Sequence, residues 1–84
     1  MQAGRSSHFE DRLKRLPPRL CAAFVLQEKR LLQDPRDPRL HMKKLEGKDD
    51  VYSIRVAGSY RALFIRHGSL AFFFDIDDRK DIYH

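Results

Sequence analysis

The apolar residues of this chain change their spacing once, near Gly47, and that change limits what the chain can fold into. Before it, Phe9, Leu13 and Leu16 recur at i, i+4 and i+7, and Leu20, Ala23, Phe24, Gln27 and Leu31 share one face of a second run. That is the spacing of two amphipathic helices. After it, Tyr52, Ile54 and Val56 alternate with Ser53 and Arg55, the period-two pattern of a half-buried strand. The Ser7–Glu10 segment fits a capping box that starts the first helix, and Pro17-Pro18 ends it while suiting the first turn of the next. The result is a tight helical hairpin. Val25, Leu26 and Leu32 broaden the apolar face of its second helix.

Asp34-Pro35-Arg36-Asp37-Pro38 stops that helix, because two prolines so close break its hydrogen-bond ladder. A basic loop, residues 39 to 48, leads to the strands. Gly58-Ser59 and Gly68-Ser69 are hairpin turns between them. Strand period predicts Tyr60, Ala62 and Phe64 on one face of the second strand and Arg61, Leu63 and Ile65 on the other. In the third strand it sets Leu70, Phe72, Phe74 and Ile76 against Ala71, Phe73 and Asp75. We therefore expect an α+β fold in two layers, a helical hairpin packed on one face of a small antiparallel sheet, forming one domain over residues 1–84.

Composition narrows the partners. A formal charge of +5 and a pI near 9.7 favour a polyanion or an acidic protein. The excess lies in the first half, where nine Lys and Arg face five Asp and Glu, against eight and seven after residue 42. No apolar run reaches the roughly 20 residues of a membrane span, and the N-terminus has no apolar signal core, so a cytoplasmic protein is expected. The lone Cys21 sits in an apolar stretch and reads as a packing residue.

If Tyr52, Ile54, Val56, Tyr60, Ala62 and Phe64 face the helices, Arg55 and Arg61 share the opposite face on either side of the Gly58 turn. There they stand as near neighbours, an arrangement that an anion between them relieves. Arg79, Lys80 and Tyr83 follow the last strand and can reach the same rim.

The order and spacing of "FEDRLKRLP" (9–17), "DPRDPRLHMKKLEG" (34–47), "VYSIRVAGSYRALF" (51–64) and "DRKDIY" (78–83) resemble the RelE/ParE superfamily of toxins from toxin–antitoxin systems, across nearly the whole chain. The loop into "KKLEG" and the terminal "RKDIY" are more similar to the RelE branch, whose members cleave messenger RNA, commonly in the ribosomal A site. The ParE branch, which poisons DNA gyrase, is the alternative, and a non-catalytic RNA-binding relative is a third. The resemblance implies a RelE-like sheet in which a short first strand precedes the helices. Residues 1–5 have little β-propensity, so that edge strand is expected to be weak or missing.

By motif, the resemblance implies Arg61 and Arg79 as phosphate stabilisers, Arg55 where relatives often carry lysine, Tyr83 as a base-stacking or proton-transfer residue, and His84 as a further catalytic group. Ser53 falls where active relatives often have a second lysine. Asp77-Asp78 replace the glycine and basic residue of many relatives. RNA contacts are expected from His41, Lys43, Lys44 and Ser53. His8 and His67 are expected to be surface residues. Cleavage by a 2′-hydroxyl needs a proton removed, a five-coordinate phosphorus stabilised and the departing 5′-oxygen protonated, none of which requires a metal or cofactor. Arginine suits the middle task, since it stays charged and forks two donors toward phosphate. The implied partners are messenger RNA, the ribosome and an acidic antitoxin laid over Leu63, Ile65 and Phe73, with a homodimer or a heterotetramer as possible assemblies.

Overall fold

The computed structural model describes residues 1–78. Strand β1 (Gln2–Arg5) leads into helix α1 (Ser7–Arg15) and helix α2 (Pro18–Gln33); a short 3-10 turn (Pro38–Leu40), the two-residue strand β2 (Lys43–Lys44) and a meander of β3 (Val51–Ala57), β4 (Tyr60–His67) and β5 (Leu70–Asp78) follow. The five strands form one sheet in the order β1-β5-β4-β3-β2. The helical hairpin covers one face, with α1 over β5 and α2 over β3.

Two features differ from expectation at the first turn of the chain. The edge strand is present: β1 pairs in parallel with β5, from Gln2 opposite Leu70 to Arg5 opposite Phe73, which makes the sheet mixed rather than antiparallel. Pairing along a ready-made edge outweighs weak local propensity. Gly4 helps, because it lies opposite Phe72 and a Cβ there would come within 3.1 Å of that ring. The α1 cap is Ser6, one residue before the expected Ser7, with its hydroxyl accepting from the Phe9 N–H at 3.0 Å. Ser6 is fixed there because its own N–H donates to the Phe73 carbonyl at 2.8 Å.

The core is a chain of phenylalanine rings. Phe9 and Phe24 lie 4.9 Å apart between centroids, Phe24 and Phe73 5.0 Å, and Phe73 and Phe64 5.2 Å, all four essentially inaccessible. Phe73 was expected on the far face, as an antitoxin contact, and a β-bulge corrects that. Phe64 pairs with Phe73 but Leu63 pairs with Asp75, so Phe74 is an extra residue that reverses the phase of β5. Ala71 and Phe73 before the bulge, and Ile76 after it, all face the helices, while Phe72 lies 36% exposed. The run "LAFFF" fits either phase, so alternation alone does not settle it. In α2, Leu20, Phe24, Gln27 and Leu31 are buried, but Val25, Leu26 and Leu32 remain exposed, because the sheet reaches only one stripe of the helix. No helix of the described residues is long and apolar enough to cross a membrane.

Candidate functional site

The pairing of β3 with β4 brings Arg55 directly opposite Arg61, on the sheet face away from the helices. Two local devices set this up. A register shift between Arg55 and Ala57 bends β3 beside the turn, and Gly58 takes the left-handed conformation that turn requires, with φ +57°. Arg55 is exposed, with its Nε donating to the Gly58 carbonyl at 3.2 Å.

Arg61 is held very differently. Only 5% exposed, it donates from Nε to the Ser53 hydroxyl at 2.9 Å and from Nη2 to the carbonyl of His41. Ser53 is fully buried beneath it. His41 ends the 3-10 turn in a left-handed conformation, φ 45°, and Leu40 before it is sealed in the core. The loop is thereby drawn onto the sheet by an apolar anchor at one residue and a charge-assisted hydrogen bond at the next.

His41, Lys43, Arg55, Gly58, Ser59 and Arg61 line a cleft of about 390 Å³. Three cations and an imidazole face it, and among the described residues that line it there is no carboxylate. Asp77, the cross-strand partner of Arg61, has its carboxylate hydrogen-bonded by Arg12 of α1, whose Nε also donates to the Ile76 carbonyl at 3.0 Å. The same guanidinium lies 3.2 Å from Asp75. Asp78 accepts from the Ser59 hydroxyl at 2.7 Å. Helix α1 thus caps the part of β5 beyond β1 and draws two acids toward that edge. At the far side of the loop, Arg39 forks onto Asp37, at 2.7 Å from Nη2, and holds its carboxyl down at about 2.

Among the residues expected at the site, the structure gathers Arg55, Arg61, His41 and Lys43. Lys43 sits opposite Ser53 in the β2–β3 register. Lys44 lies one step on, opposite Tyr52, and lines a separate hollow with Glu46 and Lys48. Ser53 is placed to orient Arg61 rather than to meet RNA, since it is inaccessible. Leu63 shares the open face but is 5% exposed, and Ile65 is partly exposed opposite Val51 and Phe72. Arg79, Lys80, Tyr83 and His84 lie outside the described residues. Ser59 and the buried Gln27 were not foreseen as site residues. Gln27 carried a usable signal, an amide on an otherwise apolar helical stripe, since such a group must find partners when buried.

No protein-family model and no curated protein matches the sequence. Solved structures do match. The chain is similar to RelE in the RelB-RelE antitoxin-toxin complex from Methanococcus jannaschii, with a TM-score of 0.79 and 25% identity over 95% of this chain and 94% of that one. It is similar also to a chain of the RelBE2 toxin-antitoxin complex from Mycobacterium tuberculosis, at 0.74 and 25% over 93% and 96%. YafQ from E. coli shares the fold at a TM-score of 0.80 with 11% identity over 99% and 98%. A helical hairpin on a five-stranded mixed sheet, with a parallel first strand at the edge, is thus the RelE-like toxin fold. At 25% identity over nearly the whole of both chains, the first two matches support the RelE-like toxin superfamily.

Proposed function

We propose that the chain is the toxin of a type II toxin–antitoxin pair and an endoribonuclease that cleaves messenger RNA in the ribosomal A site. The observation that carries this reading is the cross-strand pair Arg55–Arg61, set with Lys43 and His41 around one cleft. A phosphodiester is an anion that two guanidinium groups on facing strands can hold between them. Arg61 serves as a buried cation at the cleft wall and Arg55 as an exposed one at its rim.

In the reaction, the 2′-hydroxyl loses its proton and attacks phosphorus, the bond to the 5′-oxygen breaks, and that oxygen takes up a proton. A 2′,3′-cyclic phosphate and a 5′-hydroxyl are left. The arginines stabilise the added negative charge on the equatorial oxygens, an effect worth about 10²–10³ in rate for one well-placed donor. Tyr83 and His84 are proposed for the proton transfers. No metal or cofactor enters the scheme.

The RelE-like neighbours are seen with RelB antitoxins, which supports an antitoxin as partner here. The surface proposed for it is the open face at Ile65 with Leu63 beside it. Phe72 takes the place first given to Phe73.

Purified protein added to a translating system, followed by primer extension, is expected to give new 5′ ends at A-site codons. Arg55→Ala is expected to remove them while leaving the fold intact. Intact messages together with inhibition of DNA supercoiling would overturn the ribonuclease reading in favour of a gyrase-directed toxin.

A further inference from the structure

Across Arg55 from the cleft lies a second groove, of about 340 Å³, between α2, the 3-10 turn and the β3–β4 hairpin. Arg30, Arg39 and Arg55 line it over an apolar floor that includes Ala23, Leu26 and Val56, and among the described residues no carboxylate lines it. The two hollows share His41, Arg55 and Gly58, so they are neighbours joined at one guanidinium.

A single buried amide organises the second groove. Gln27 is 5% exposed, and its Oε1 accepts from Arg30 Nη1 at 2.9 Å. Its Nε2 donates to the carbonyl of Arg39 at 2.9 Å and to that of Arg55 at 2.8 Å. One side chain thereby holds the Arg30 guanidinium and the backbones that carry Arg39 and Arg55. Arg39 spends much of its charge on Asp37, which leaves Arg30 and Arg55 as the main cations. Guanidinium groups spaced over an apolar floor suit a strand with regular phosphates and flat bases, whereas a lone anion needs only the first cleft.

We infer that the groove is a second phosphate subsite, which takes the RNA strand as it leaves the cleft across Arg55. The inference rests on the ribonuclease reading and extends it, since it assigns Arg30 to substrate binding and Gln27 to positioning. A dinucleotide fills the cleft alone, while a longer strand also reaches Arg30.

The test compares two oligonucleotides in which hydrogen replaces each 2′-hydroxyl so that none is cut, one a dinucleotide and one of about eight nucleotides. Wild type is expected to bind the longer one more tightly. Arg30→Met is expected to weaken the longer ligand about tenfold, the worth of one charge-assisted contact, and to lower its salt slope by about 0.7, with dinucleotide affinity changed less than twofold. Gln27→Leu should reproduce that length-selective loss, with its melting temperature measured alongside. If it does not fold, Arg30→Met decides alone.

Equal loss for both lengths, or loss for neither, overturns the inference. So does a wild type that binds both lengths equally, although the cleft then stands. Wild type that binds neither length removes the ribonuclease reading as well. Tight binding of oligoglutamate that Arg30→Met abolishes, with no length gain for nucleic acid, would give the groove to an acidic peptide instead.

Discussion

On the helix side of the sheet Phe64 and Phe73 are sealed among Phe9 and Phe24, whereas on the other side Ser53 and Arg61 are buried under the carbonyl of a loop. Both sets are buried, but they are held by different forces. The first rests on apolar area, with rings 4.9 to 5.5 Å apart that tolerate small changes of shape. The second rests on a few directed hydrogen bonds, and its loss leaves polar groups without partners. Burial on one side therefore makes stability, and on the other it makes the geometry of a charge.

The phase of β5 gives the largest expected effect. Phe73→Ala should cost about 3–5 kcal/mol in denaturant unfolding, as for a large ring removed from a packed core. Phe72→Ala, on a ring 36% exposed, should cost about 1 kcal/mol or less. The reverse order would mean that the bulge at Phe74 is misplaced and that the two faces of β5 are exchanged.

The two arginines separate the faces again. Arg55→Ala is expected to lower cleavage by about 10²–10³-fold while stability moves within about 0.5 kcal/mol, because the side chain is exposed. Arg61→Ala should lower cleavage comparably and also cost about 1–3 kcal/mol, since the Ser53 hydroxyl and the His41 carbonyl lose their donor. Unchanged stability in Arg61→Ala would show that this side of the sheet does not depend on the bond to the loop.

Much of this was legible in the sequence, and the reasons for what was not are physical. The two helices, the proline break and the Gly58 and Gly68 turns are local decisions, written by spacing and by residues with narrow backbone choices. So was the convergence of Arg55 with Arg61, because register across a short turn is local too. The parallel strand β1 was hidden, since its partner lies some 68 positions along the chain, Gln2 beside Leu70. The bulge was hidden by three consecutive phenylalanines. Ser53 and Gln27 lay in plain view, but a polar residue on a strand or an apolar helix stripe does not say which group it will satisfy.

A smaller effect tests how the acids are kept from the cleft. Arg12→Ala frees Asp77 from the α1 side, while His8 stays 3.5 Å from Asp75, and Asp77 stands directly across from Arg61. Cleavage is expected to fall several-fold, about 1 kcal/mol of barrier, as the carboxylate competes for the cations. Asp77→Asn added to Arg12→Ala should restore most of the rate. If the double variant stays as slow as the single one, Arg12 acts by supporting β5 alone.

The smallest effect concerns the loop that Arg61 and Gln27 hold. Arg39, by its side-chain hydrogen bond first, its backbone N–H second and its charge less, lowers the Asp37 carboxyl from about 3.8 to about 2. A depressed folded-state value means that the pairing favours the folded loop at any pH above the unfolded value. That contribution fades as pH falls from about 4 through 2, and it does not change between pH 5 and 8. The carboxyl carbon of Asp37, followed by NMR, should titrate near 2 in the wild type and higher in Arg39→Gln, which loses the side-chain fork but keeps the backbone N–H bond. A wild-type midpoint near 4 would show that the fork onto Asp37 does not persist in solution, and Arg39 would then face the groove beside α2 with its full charge.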